Sequence, residues 1–264
     1  MKIKVCGITD IQQMQELQRL GFDYAGMIFY EGSKRFAGDA IKDEKVTIRN
    51  CDIKKIGVFV NEKFDTIIKA IEDYDLHAVQ LHGDETDKFC MELMRKVKVV
   101  KAFRITGEEN IDELTKPFQN VCDYFLFDTA RLPLTSPTRE NGPHLTSPHG
   151  DGTAAQPLLA KDSDNNEDFP ESEVRVEMAS SFGGGREEVY GGTGKKFNWL
   201  ILEEAEIRKP FFLSGGIGPD DAEKIKGFQH PYFYALDVNS RFETAPGIKD
   251  IKKVEAFLKE IHHG

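Results

Sequence analysis

The sequence has no CxxC pair, and its four cysteines stand apart at 6, 51, 90 and 122. That spacing suits neither a zinc site nor a disulfide scaffold, so reduced thiols are expected. Long apolar runs are missing too. No stretch approaches the ~20 residues that a membrane-spanning helix needs. The opening Met1-Lys2-Ile3-Lys4-Val5-Cys6 reads as a strand and not as a signal peptide. A cytoplasmic protein with no membrane partner is expected. Clustered positive charge is scarce: the 264 residues carry a formal charge of −10. That balance argues against nucleic acid as a partner, because phosphate neutralisation needs concentrated Lys and Arg. It leaves room for a local positive pocket that takes a small anion.

What the chain does have is alternation. Apolar runs lie at 2–6, 24–29, 55–60, 78–81, 98–103, 123–128, 210–214 and 233–238. Several are continuous Val, Ile, Phe and Leu, as strands buried on both faces require. Helical spacing fills the gaps. Ile11, Met14 and Leu17 follow Thr9-x-x-Gln12, which looks like a capping box. Phe64, Ile67, Ile68 and Ile71 follow Asn61, and Ile251, Val254, Phe257, Leu258 and Ile261 mark a last helix. Pro219, after Gly218, suits a first helical turn. Eight such units predict an α/β fold, a (β/α)8 TIM barrel forming one domain over 1–264. An open doubly wound sheet is the competing arrangement.

Residues 131–189 break the pattern. They hold six of the eleven prolines and repeat Leu134-Thr135-Ser136-Pro137 as Leu145-Thr146-Ser147-Pro148. Within 131–188, 11 acidic residues face 5 basic ones. Such a stretch buries too little apolar surface to offset its ordering entropy. A long disordered insertion after strand six is expected.

Reactive side chains sit where strands give way to loops, the ligand-facing end of a parallel β/α protein. Cys6 ends the first strand, and nearby backbone N–H groups are expected to lower its pKa. A free cysteine is more often a small buried hydrophobe. Asp128 ends the sixth strand behind Tyr124, Phe125 and Phe127, which favour its partial burial; a general acid needs such desolvation or a nearby negative charge. Alone it could be a helix cap. Glycines let backbone N–H groups approach a phosphate. They cluster in Gly191-Gly192-Thr193-Gly194-Lys195, with Gly192 and Gly194, and in Ser214-Gly215-Gly216-Ile217-Gly218. Asp237-Val238-Asn239-Ser240 ends the eighth strand. Barrels often bind phosphate at the loops after strands seven and eight, although turn glycines need no ligand. Arg35 could pair with a carboxylate. His82, after the fourth strand, could hydrogen-bond a ligand or order its loop.

Taken together these segments resemble the phosphoribosylanthranilate isomerase family. The likeness rests on Lys4-Val5-Cys6-Gly7-Ile8-Thr9, Gly26-Met27-Ile28-Phe29-Tyr30 with Ser33-Lys34-Arg35, and Gly57-Val58-Phe59-Val60-Asn61. It continues through Gln80-Leu81-His82-Gly83-Asp84-Glu85, Phe127-Asp128-Thr129, Gly191-Gly192-Thr193-Gly194-Lys195 and Leu213-Ser214-Gly215-Gly216. It ends in Asp237-Val238-Asn239-Ser240 and Pro246-Gly247. The matches run in order over roughly 1–130 and 190–260. The resemblance implies an Amadori rearrangement in tryptophan biosynthesis, with no metal or cofactor. It implies Cys6 as general base and Asp128 as general acid. Arg35 would hold the anthranilate carboxylate, and the loops at 215–216 and 239–240 the phosphate, with 192–194 beside them. A related phosphate-binding sugar isomerase would use two aspartates, which Cys6 argues against. A non-catalytic binding protein acting through the insertion has no need of Cys6, Asp128 and Arg35 together. A monomer or a homodimer is expected.

Overall fold

The computed structural model describes residues 1–130 and 197–262. The insertion expected over 131–189, and its disorder, lie outside the described residues. Eight strands appear within one or two residues of the predicted positions. They are β1 (Lys2–Val5), β2 (Tyr24–Ile28), β3 (Lys54–Phe59), β4 (Ala78–Leu81), β5 (Lys98–Ile105), β6 (Tyr124–Thr129), β7 (Phe211–Leu213) and β8 (Phe233–Val238). All pair in parallel in chain order, and β1 closes on β8 with Lys4 opposite Asp237. That closure excludes the open sheet.

A helix follows each strand: α1 (Ile11–Arg19), α2 (Lys45–Arg49), α3 (Phe64–Tyr74), α4 (Asp87–Met94), α5 (Ile111–Thr115), α6 (Leu200–Glu203), α7 (Ala222–Gly227) and α8 (Ile251–His262). The start of α1 differs from the expectation. Asp10, not Thr9, is its cap and accepts a hydrogen bond from the Gln12 N–H at 2.9 Å. Thr9 instead donates to the Gly247 carbonyl, tying α1 to the far end of the chain. Pro219 does open a short 3₁₀ turn, steadied by the Gly218 N–H donating to Asp221.

Strand alternation separates two layers. On β6, Phe125 and Phe127 pack outward in the large core under the helices, whereas Leu126 joins Tyr24, Ile56, Val100 and Phe212 inside the barrel. Tyr24, Tyr124, Tyr234 and Phe212 gather near the strand starts, with the Tyr24 and Tyr234 hydroxyls 2.6 Å apart. This aromatic layer fills the N-terminal end of the barrel. The C-terminal ends of the strands are left to form the site. A hairpin of β9 (Glu243–Ala245) and β10 (Ile248–Lys249) follows β8 and was not anticipated.

Candidate active site

The period of two along each strand decides which side chains meet. Lys4 and Cys6 share the inner face at the end of β1, Gln80 and His82 that of β4, and Asp128, Ser214 and Asp237 those of β6, β7 and β8. Lys4 is fully buried. Its ammonium donates to Gln80 Oε1 at 2.7 Å and to Asp237 Oδ1 at 3.0 Å, and its charge acts on the neighbouring Cys6 thiol. Burial opposes its charge, but the Asp237 carboxylate and the Cys6 thiol outweigh that and raise the Lys4 pKa. Gly26 on the neighbouring strand makes room for this cluster. A Cβ there would lie 2.9 Å from Cys6 Sγ and 3.0 Å from Lys4 Cε.

From Asp237 the contacts continue around the mouth. The Ser214 hydroxyl lies 3.5 Å from Asp237 Oδ2 and 3.4 Å from Asp128 Oδ1, one proton between two carboxylates. Asp128 Oδ1 also accepts from the Thr129 N–H at 2.9 Å, and its other oxygen lies 3.4 Å from His82 Nε2. Burial pushes the Asp237 carboxyl up, against the pull of Lys4. The thiol departs from the sequence expectation. Burial pushes the Cys6 pKa up, because desolvation of the thiolate outweighs the attraction of Lys4 and Lys249.

Arg35 lies in the loop after β2, buried, and clamped by Glu243 of β9. Its Nε is 2.9 and 3.0 Å from the two carboxylate oxygens, and Nη2 is 2.7 Å from Oε2. Lys249 of β10 binds the same carboxylate and donates to Asn239 Oδ1 at 2.8 Å. Burial raises the Glu243 carboxyl, but Arg35 and Lys249 prevail and hold it below the usual range. Gly215 and Gly216 follow β7 with φ of +89° and +67°. A Cβ on Gly215 would meet Thr129 Oγ1 at 2.3 Å, so the β7 loop sits directly against the end of β6. Ser240 opens a short 3₁₀ turn after β8, and the next residue, Arg241, lies against Gly218.

The structure thus brings Cys6, Asp128, His82 and Asp237 to one mouth. It places Arg35, Gly215, Gly216, Asn239 and Ser240 in the loops that surround it. Gly192 and Gly194 lie outside the described residues. Sequence reasoning missed Lys4, Gln80, Glu243, Lys249 and Arg241 as members of the site. Lys4 had a readable signal, since a lysine two residues before Cys6 in a buried strand must face the same way.

A closed parallel barrel with a thiol, two carboxylates and an imidazole converging at its C-terminal mouth defines a (β/α)8-barrel enzyme. The family model described as N-(5'-phosphoribosyl)anthranilate (PRA) isomerase matches residues 3–145 and 187–260 and leaves out much of the insertion. An N-(5'-phosphoribosyl)anthranilate isomerase of Parabacteroides distasonis is 33% identical, with 100% of this chain and 94% of the relative covered. That of Phocaeicola vulgatus is 30% identical over 99% and 98%. The chain belongs to the phosphoribosylanthranilate isomerase family and is an isomerase of tryptophan biosynthesis. The crystal structure of the Thermotoga maritima enzyme superposes with a TM-score of 0.69 at 23% identity, covering 100% of this chain and 99% of that one. A phosphoribosylanthranilate isomerase structure in complex with reduced 1-(o-carboxyphenylamino)-1-deoxyribulose 5-phosphate gives 0.66 at 22% identity, covering 100% and 99%. Both share the barrel.

Proposed function

We propose that Cys6 and Asp128 are the general base and general acid of the Amadori rearrangement of N-(5-phosphoribosyl)anthranilate. The product is 1-(2-carboxyphenylamino)-1-deoxyribulose 5-phosphate. Asp128 gives its proton to the ribose ring oxygen. The C1′–O bond breaks, and the nitrogen lone pair forms a protonated imine. Cys6, as thiolate, removes the C2′ proton, and those electrons neutralise the imine as an enolamine. Tautomerisation yields the ketone. The chemistry needs one proton donor and one acceptor on the same sugar. One observation carries the reading: Cys6 packs beside Lys4 against Gly26, and Lys4 links through Asp237 to Ser214 and Asp128 around a single mouth.

Arg35 would meet the anthranilate carboxylate, with Glu243 fixing the guanidinium from the side. Gly215, Gly216, Asn239 and Ser240 would cradle the phosphate, Arg241 adding positive charge, and His82 and Asp237 would border the sugar. Gly192 and Gly194 are assigned beside the phosphate on the family resemblance alone. All described parts of the site come from one barrel, so a monomer or a homodimer would serve equally. Four buried, unpaired cysteines suit the reducing cytoplasm. The test is turnover of phosphoribosylanthranilate by the purified chain, followed through the change in anthranilate fluorescence.

A further inference from the structure

We propose that Gln80 is a positioning residue. Held by Lys4, it fixes the tautomer of His82, with Nδ1 as acceptor and the ring proton on Nε2, facing the Asp128 carboxyl that supplies the proton to the sugar. The inference rests on the reading of Asp128 as the acid.

Hydrogen-bond bookkeeping compels the assignment. An ammonium has donors and no acceptor. The Gln80 atom 2.7 Å from Lys4 Nζ is therefore the amide oxygen. The oxygen is committed there, and the NH₂ group can only donate. It lies 2.9 Å from His82 Nδ1, which must then offer its lone pair. The single ring proton of neutral His82 falls on Nε2, the atom 3.4 Å from Asp128 Oδ2. A second proton on Nδ1 would set N–H against N–H.

Two consequences follow for the chemistry. His82 presents only its Nε2–H toward Asp128, and its Nδ1 lone pair, tied to Gln80, takes no part in proton transfer. Its Nε2–H also faces the oxygen on which charge appears once Asp128 has given up its proton. The order is imposed from across the barrel: Asp237 on β8 orients Lys4 on β1, Lys4 orients Gln80 on β4, and Gln80 orients the ring two residues on. Gln80 is itself buried, 1% exposed, so water does not substitute for either partner.

The experiment is ¹⁵N NMR of the full chain labelled at histidine, near neutral pH, with His82 assigned by its absence in His82→Asn. The wild-type ring should show the neutral Nε2–H pattern. Gln80→Glu presents acceptors only, so Nδ1 should become protonated, and kcat should fall about tenfold or more with a smaller change in KM. A wild-type His82 found as Nδ1–H or as imidazolium overturns the proposal. So does a folded Gln80→Glu chain that keeps the wild-type ring pattern. The wild-type spectrum decides even if that variant fails to fold. Failure of the underlying reading looks different: Asp128→Asn would retain turnover while the His82 pattern stayed as expected.

Discussion

Arg35 and Glu243, 208 residues apart in the chain, form a buried ion pair in which Nε touches both carboxylate oxygens and Nη2 touches one. The guanidinium is thereby held edge-on, and its orientation depends on a hairpin beyond the last barrel strand. Glu243→Gln leaves two buried cations, Arg35 and Lys249, without their shared anion. Breaking a buried pair typically costs about 3–5 kcal/mol. The pH dependence has a definite sign. Glu243 titrates below its usual 4.5 in the native state, so its contribution is present above that value and is lost as pH falls through the depressed one. Urea unfolding should show the stability gap between wild type and Glu243→Gln narrowing in acid. A gap that widens there contradicts the assignment.

Cys6 gives a second pH prediction. Its pKa lies above the usual 9.0, so at neutrality the free enzyme is mostly thiol. A base acts deprotonated. Alkylation of Cys6 by iodoacetamide follows the thiolate alone, so its rate should rise from pH ~7 to ~9, by up to about tenfold per unit. An alkylation rate that is flat or falling over this range contradicts a thiol of raised pKa.

Gly215→Ala tests the contact between the β7 loop and β6. The substitution places a Cβ at φ +89° and 2.3 Å from Thr129 Oγ1. Left-handed backbone alone costs a non-glycine residue about 1–3 kcal/mol, and the clash adds to it. The Tm should drop clearly, and KM should rise because Thr129 adjoins Asp128. An unchanged Tm would mean the loop does not sit against β6.

Arg241 is assigned to the phosphate by its place against Gly218, between the loops that follow β7 and β8. Arg241→Ala should raise KM several-fold while leaving kcat nearly intact, and should weaken competitive inhibition by inorganic phosphate. Equal phosphate inhibition in both proteins would remove Arg241 from the site.

The barrel was legible because its strands are apolar on both faces and its breaks are marked by Gly, Pro, Asn and Asp. Residues at strand ends, Cys6, Asp128, His82 and Asp237, could be picked out because topology alone sends them to one mouth. What escaped was partnership across the chain. Nothing local tells that Lys4 lies beside Asp237, or that Glu243 reaches back to Arg35. Such pairs are set by barrel closure and by a hairpin too short to show alternation. The pKa of Cys6 was misjudged for the same reason. Neighbouring N–H groups are readable in sequence, whereas the full desolvation of the thiol depends on packing by distant strands.

The most direct measurement is turnover of phosphoribosylanthranilate by the wild-type chain, Cys6→Ser and Asp128→Asn, each checked for native circular dichroism. The wild type should turn over, and each folded variant should lose about 10²–10⁴-fold in kcat. Turnover close to wild type in either variant would contradict the acid–base assignment.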